Sequence, residues 1–484
     1  VRFTLHNERA WNVLLPLAAC AFMLGIYAWK EDLETTQWII FAFVGALLVL
    51  LAIFFRLSWY YYALIACVPL SLETGLLGGA RLNFPAEGML ALLVPVLLLF
   101  ARDYRLEFGK ALKNPLSILL LLDLVLMLVF SLFSMEVDVS LKRVLVRALF
   151  FIGFFGVIFL FQNPTKLIYP WIAYTLGLIP VMYFTTRNHI HHDFDPRVVF
   201  DICAPYFNDH TIYGACLAFL IPLLFLILIR RKLFALSTAM TWLLWLVFFW
   251  ILVSEVLALS RAALLSIAVA VIFALLLKFG LQFRRLLLGL GVASVVVWGF
   301  SARIYENIQE NEAVSNDGEL VNHFSSVTNI KSDASNLERV NRWICAYRMF
   351  EDKPLTGYGP GTYQFYYNRF QSLEHKTYIS TNSGDRGNAH SEYLTYLSET
   401  GIFGFLWFLL LIFYSLYLGM KNHAELSDPL LRTLNLGVLM GLVTFYFHGL
   451  FNSFIDQSKM AFLVFTALAT LVWIRQRLPQ KVEA

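Results

Sequence analysis

Apolar runs close to the length that crosses a bilayer recur along almost the whole chain, and no other feature constrains its fold as strongly. An α-helix rises 1.5 Å per residue, so about 20 apolar residues span the hydrocarbon core. Such runs lie at 11–29, 37–55, 57–72, 86–101, 115–133, 144–161, 167–184, 211–229, 233–253, 260–277, 286–302, 394–418, 434–451 and 460–474. The run at 57–72, tightly linked to its neighbour and rich in Tyr, is the weakest. The runs are continuous, without the period-two alternation of a membrane barrel, so strands are not expected. A chain that is 59% hydrophobic and 14% charged is not a soluble globule. The expected fold is an all-α integral membrane protein, a polytopic helical bundle of about 12–14 transmembrane helices.

Lys and Arg set the orientation, because cytoplasmic connections keep an excess of them. With 303–390 placed outside, the inside segments are the N-terminus, Arg56, Arg102–Lys113, Lys166, Arg230-Arg231-Lys232, Lys278–Arg285, Lys421–Arg432 and the tail from Arg475. Together they hold 19 basic residues. The short outside connections hold seven: Lys30, Arg81, Lys142, Arg143, Arg187, Arg197 and Lys459. Both termini are expected inside. Three parts follow: helices over 1–302, an outer loop subdomain with amphipathic helices over 303–393, and C-terminal helices with a tail over 394–484. Arg2 and Arg9 precede the first run and no small-residue cleavage site follows it, so no cleavable signal peptide is expected. The five Cys are scattered without a CxxC and leave the redox compartment open. The net charge of +4 is spread along inside connections, which reports topology and implies no nucleic-acid partner.

Polar residues gather outside. His390 sits in Asn388-Ala389-His390-Ser391-Glu392-Tyr393-Leu394, where the long polar stretch meets an apolar helix. An imidazole titrates near neutrality, so His390 is a candidate general base at a membrane–water boundary. Glu392 is a candidate to orient or polarise it, or a surface acid. Arg261 opens the span at 260–277; it snorkels or it binds an anion, since its forked donors match phosphate oxygens. Arg147, about one turn inside the membrane from Lys142-Arg143, is a second cation on that side. The run His189, His191, His192, Asp193, Asp195 and His210 invites a metal, but it has no HExxH and no helical pair, so a solvated loop is preferred. Residues 336–350 pattern as an amphipathic helix with Asn336 as N-cap, Val340, Ile344 or Trp343, Tyr347 and Phe350 on its apolar stripe, and Arg339, Arg342 and Arg348 on its polar side. That helix either lies on lipid or roofs a cavity and presents Arg to an anion. Gly357-Tyr358-Gly359-Pro360-Gly361 has no GK[ST] ending and no preceding strand; a sharp turn explains it, not a nucleotide loop.

The order of these pieces resembles the O-antigen ligase and polymerase superfamily of bacterial membrane glycosyltransferases. Arg197 to Asp209 resembles that family's Arg followed by a Gly/Pro/Asn stretch opening a span, with Phe207-Asn208-Asp209-His210 in place of the usual Asn-Pro-Asn. Ser260-Arg261 matches the Ser-Arg that starts a span. Trp343 through Gly361 matches the loop's Trp and Pro-Leu-x-Gly-x-Gly. Ala389 through Gly401 matches His-Asn-x-x-Leu…Glu-x-Gly, with Ser391 where Asn is common. The resemblance runs from about residue 190 to 456; Phe200-Asp201, His448-Gly449 and Asn452…Asp456 resemble a Bacteroidetes branch.

The resemblance implies a GT-C-like fold with a large periplasmic loop, in the bacterial inner membrane. It implies an undecaprenyl-diphosphate-linked glycan as donor and a hydroxyl of the lipid A core, a growing glycan chain or a protein as acceptor. His390 would remove the acceptor proton, and Arg261 and Arg197 would hold the diphosphate while the bond breaks with inversion. Arg339, Arg342, Arg147, His210 and Glu392 are the further substrate-binding candidates. This chemistry needs no metal or other cofactor. Ligase is the reading preferred over polymerase and protein O-oligosaccharyltransferase, although no residue decides the acceptor. A transporter of lipid-linked saccharide would need buried charges near the midplane, for which Asp123 and Glu255 are the main candidates, and a third reading is a receptor that binds glycan without chemistry.

Overall fold

The computed structural model describes residues 58–75, 81–100, 105–161, 163–309, 334–371 and 387–478. The expected spans at 11–29 and 37–55 lie outside the described residues. Residues 58–67 are helical and give way to an antiparallel pair, β1 (Leu72–Gly75) with β2 (Arg81–Phe84). The expected span at 57–72 therefore stops short, and a small strand pair stands where none was expected. Polar anchoring accounts for it: Ser71 Oγ accepts from the Ala86 amide at 3.1 Å, and Glu87 accepts from both amide groups of Asn83.

Helices follow from there. They are α1 (Ala86–Phe100), α2 (Arg105–Leu112), α3 (Pro115–Leu132), α4 (Val137–Phe150), α5 (Tyr169–His191), α6 (His210–Ile229), α7 (Thr238–Leu257), α8 (Arg261–Lys278) and α9 (Phe283–Gln309). Then come α10 (Ala334–Asp352), α11 (Glu392–Glu425), α12 (Pro429–His448) and α13 (Ser458–Arg477). Local sequence sets many of their starts. Asn114, Asp209, Ser237, Ser391 and Asp428 each cap the helix that follows with a side-chain oxygen, and Pro115 and Pro429 fill first-turn positions where no amide is needed.

Among the described residues, eight helices are long and apolar enough to cross a membrane: α3, α5 with its lead-in from Pro164, α6, α7, α8, α11, α12 and α13. The chain is an all-α polytopic membrane protein. The expected span at 144–161 is not one regular helix. After α4 the backbone widens into a π turn at Phe151–Phe155 and tightens into a 3-10 turn at Gly156–Leu160. Here the chain must stack Phe150 on Phe154 and Phe151 on Phe155 while Gly153 presses on Leu90, leaving no room for a side chain.

The centre of the bundle is α6, α12 and α13, whose side chains are buried on nearly every side. Their close approach is written in small residues. A Cβ on Gly437 would lie 2.5 Å from Leu223, and one on Gly441 2.5 Å from Phe219, so this Gly-x-x-x-Gly face lets α12 lie directly on α6. By contrast α7 and α8 expose Trp242, Leu246, Phe249, Val271 and Ile272, the apolar surface a lipid-facing helix carries.

A smaller core of Cys345, Ala346, Met349, Tyr358, Tyr363, Tyr366, Tyr367 and Ala389 sits at one end of the bundle, under α10. The buried face of α10 is not the expected Val340–Ile344–Tyr347–Phe350 stripe: Tyr347 is exposed, while Glu338, Asn341, Arg342, Cys345, Ala346 and Met349 point inward. The helix lies on a tyrosine-rich core and on the link before α11, and its buried polar side chains are partnered, Arg342 with Glu338 and with the Asn388 carbonyl. The glycine-rich turn docks on a kink in α11. The Tyr358 and Gly359 amides donate to the Ser398 and Glu399 carbonyls at 3.1 and 2.8 Å, and the Glu399 carboxylate accepts from the Gly361 and Tyr363 amides. The kink is at Gly401, φ +64°, where a Cβ would lie 2.6 Å from the Leu355 backbone.

Beneath that turn a buried ionic cluster ties α3, α4, α11 and the α12–α13 connection together. Arg147 pairs with Asp456 and, at 3.4 Å, with Asp123, and donates to Tyr396 at 2.8 Å; Arg143 pairs with Asp456 at 2.6 Å. Two outcomes follow. Gly401→Ala lowers the melting temperature of the detergent-solubilised protein by an amount equivalent to roughly 1–3 kcal/mol of backbone strain, whereas Gly109→Ala, with nothing within 4 Å of the new Cβ, does not. Asp456→Ala leaves two inward-facing guanidinium groups without their shared partner and costs about 3 kcal/mol or more, and Asp456→Asn costs less because an acceptor remains.

Candidate functional site

His390 lies in the short link that enters α11, with a left-handed backbone at φ +48°. A non-glycine residue holds that conformation only where its surroundings impose it. Three contacts do so. The His390 amide donates to Asn388 Oδ1 at 2.9 Å, Trp343 Nε1 donates to the His390 carbonyl at 3.0 Å, and Arg342 Nη1 donates to the Asn388 carbonyl at 3.2 Å. The first is legible in the sequence as Asn-x-His; the other two come from α10, more than 40 residues earlier.

On the far side the link is held by the turn between α12 and α13. The Glu392 amide donates to the carbonyls of Gly449 and Asn452 at 2.8 and 3.1 Å. The Glu392 carboxylate accepts from the Phe454 and Ile455 amides and from Ser453 Oγ. It is thus a clamp on the backbone, buried at 1% exposure. The imidazole of His390 points into this turn, its Nδ1 3.4 Å from Asn452 Oδ1, and Asn452 Nδ2 lies 2.9 Å from His448 Nε2.

The charges around His390 come from two elements. Desolvation first, and then Arg342 and Arg339 of α10, push its pKa down to about 3, while Asp209 at the head of α6 and the Asn452 contact act in the opposite sense. The ring is therefore neutral at physiological pH. Neutral imidazole is the form that accepts a proton. Asp456, at the end of the same turn, is held below its usual range: burial opposes this, but Arg143 and Arg147 outweigh it.

The other expected residues fall around this centre in different ways. Arg342 is buried against Glu338 at 2.8 Å and over the Tyr367 ring, so its charge is felt at His390 while its donors hold protein. Arg339, on the same helix, is half-buried. His210 opens α6, its Nδ1 3.3 Å from Asp209 and its ring edge-on to Phe200. Arg261 is the first residue of α8 and half-buried; Ser260 before it packs 3.0 Å from where a Gly214 Cβ would stand, which puts the heads of α6 and α8 side by side. Arg147 lies a layer below, in the ionic cluster. Arg197 is in a single 3-10 turn, Pro196–Val198, and its side chain lies outside the described residues. Of the His-rich run, His189 is buried beside Phe194 and His191 and His192 are exposed against each other. Among the described residues no group of three His, Cys, Asp or Glu side chains is placed to hold a metal ion.

Sequence reasoning gave no role to Asn452, His448, Asp209 or Asp456. All four had entered only through the resemblance, and Asp209 also carries a local signal as a helix cap. What the assembled site offers is a neutral imidazole, arginines on its flank, and the N-termini of α6, α8 and α11 opening toward the same end. Helix N-termini and arginines both stabilise anions.

No curated protein matches the chain. A family model described as O-antigen ligase matches residues 246–409, from the second half of α7 through α8, α9, α10 and His390 into α11. The match takes in Arg261, Arg339, Arg342, His390, Glu392 and the Gly401 kink, and that segment is similar to the O-antigen ligase superfamily.

Proposed function

We propose that the protein transfers a glycan from undecaprenyl diphosphate to an acceptor hydroxyl, as an O-antigen ligase or polymerase does, at the periplasmic face of the inner membrane. The observation that carries this reading is His390, a neutral imidazole in a strained, clamped link, flanked by arginine charge within the family-matched segment. The excess of Lys and Arg on the opposite connections supports a periplasmic position for this end.

In the reaction the acceptor O–H gives its proton to His390 as the oxygen attacks the anomeric carbon. The bond from that carbon to the diphosphate breaks, and the diphosphate leaves with the electron pair. Arg261, Arg197 and Arg339 stabilise the growing negative charge, aided by the helix N-termini at this end. Attack opposite the leaving group inverts the anomeric centre. Two of the influences that lower the basicity of His390 are arginine charges, and a bound diphosphate opposes both. The base therefore strengthens as the donor arrives. Arg342 and Glu392 act by holding the link, and Arg147 by holding Asp456.

A transporter would need loose charge within the bilayer. Asp123 is instead paired with Arg147, and Glu255, buried with no hydrogen-bond partner among the described residues, lies in the last turn of α7, toward the end that carries the site. Transfer is the reading these placements favour; the lipid A core is preferred as acceptor on the resemblance alone.

Incubating the purified protein with labelled lipid-linked glycan and, separately, lipid A core, a carrier-linked glycan and a Ser/Thr peptide identifies the acceptor. His390→Ala is expected to lower kcat by about 10²–10⁴ with donor binding kept, and retained transfer in that variant would sink the proposed base. Arg261→Ala is expected to weaken donor binding and kcat/KM together. The acid limb of kcat/KM is expected well below pH 6.5, because His390 stays neutral in the free enzyme until pH nears the lowered value. The limb of kcat, read in the donor complex, is expected at higher pH than that of kcat/KM; coincident limbs near 6.5 would contradict the charge balance described here.

A further inference from the structure

We propose that Asn452 and His448 are positioning residues that fix the tautomer of His390 and so decide which ring nitrogen receives the acceptor proton. The inference rests on His390 as the base. Its geometry is a three-member relay from the site into the protein, His390 Nδ1 to Asn452 Oδ1 at 3.4 Å and Asn452 Nδ2 to His448 Nε2 at 2.9 Å.

An amide oxygen only accepts, so the His390 nitrogen facing it carries the ring proton. Nε2 is then the nitrogen with a free lone pair, and it is the one left for substrate. On the other side an amide NH2 only donates, so His448 Nε2 accepts and the His448 proton sits on Nδ1. That nitrogen is buried with no hydrogen-bond partner, and the ring stands edge-on to Phe454 at 5.4 Å. Leaving a buried donor without an acceptor costs roughly 1–3 kcal/mol.

The relay is also held in place. Asn452 is 1% exposed and His448 2%, and the Asn452 carbonyl accepts the Glu392 amide, which ties the relay to the helix that follows His390. Were His448 to carry its proton on Nε2, that N–H would face the amide NH2. The amide would turn over, present its NH2 to His390 Nδ1 and drive the His390 proton onto Nε2. The base nitrogen would then be occupied. The other charged groups facing His390 are Arg342 and Arg339 from α10 and Asp209 from the head of α6; among the described residues no other hydrogen bond reaches His390 Nδ1.

The test is steady-state transfer with labelled lipid-linked glycan across pH, using four variants of the full chain. Asn452→Leu is expected to lower kcat roughly 10- to 100-fold while the KM for donor stays within about twofold. His448→Leu is expected to lose less. The double variant Asn452→Leu/His448→Leu is expected to be no worse than Asn452→Leu alone, because His448 acts only through Asn452. Asn452→Asp keeps an acceptor for His390; it is expected to retain transfer and move the acid limb to higher pH, since a carboxylate favours the charged imidazole. This variant also covers the case in which Asn452→Leu fails to fold. Additive losses in the double variant, or an Asn452→Asp enzyme that is folded by its melting curve but inactive, overturn the relay. If His390→Ala is inactive while Asn452→Leu turns over at the parent rate, the relay falls and the base stands. If His390→Ala turns over normally, the base reading itself falls.

Discussion

A carboxylate in the first turn of a helix usually faces water and complements the helix dipole from outside. Glu392 instead turns inward and accepts the backbone amides of Phe454 and Ile455, while its own amide donates to Gly449 and Asn452. Those contacts close a ring between the start of α11 and the turn joining α12 to α13. His390, two residues before the clamp, and Asn452, inside the turn, are therefore held in one frame. Asp456 fastens the other end of the turn to Arg143 and Arg147, and so to α4. Without the clamp the imidazole would lose its fixed neighbour Asn452, while the left-handed backbone at His390 is held from the other side by Asn388, Trp343 and Arg342.

The bilayer explains why so much polar chemistry is packed at one end. Ionisable groups among apolar helices are costly unless paired, so Arg147 is met by Asp123, Asp456 and Tyr396 at once. The deeper bundle uses a different device. Gly437 and Gly441 let α12 lie on α6 without side chains between the backbones, and close packing replaces polar contact. The heads of α6 and α8 lie side by side where Ser260 meets Gly214, and α10 rests on the rim formed by the start of α11 and the link before it. Arg342 joins α10 to the His390 link through the Asn388 carbonyl.

Much of the fold was legible from apolar run length alone, because in lipid only a helix satisfies its own backbone. The one cap read from the sequence, Asn336, falls inside α10, whereas Asn114, Asp209, Ser237, Ser391 and Asp428 cap helices in the structure without having been read as caps. The reading failed where tertiary contacts override length. The run at 144–161 widens into a π turn around stacked Phe rings, and the run at 57–72 ends in a strand pair tied to Ser71 and Glu87. The stripe chosen for α10 failed too: its buried face mixes Glu338, Asn341 and Arg342 with Cys345, Ala346 and Met349, and apolar periodicity does not find a mixed face.

For the site, the sequence by itself determined the kinds of group and their order: His390 before a capped helix, Arg261 at the head of a span, glycines in the loop between. Those follow from local chemistry, such as an Asx turn at Asn388 or a cap at Ser391. What only the tertiary structure decided is who meets whom. Asn452 lies 62 residues from His390, and Asp456 309 from Arg147. No periodicity reports a contact across such a separation, since burial alone does not name a partner. Folding brought two histidines onto one amide, turned Arg342 and Arg147 inward to hold protein, and left His390 neutral beside arginine charge.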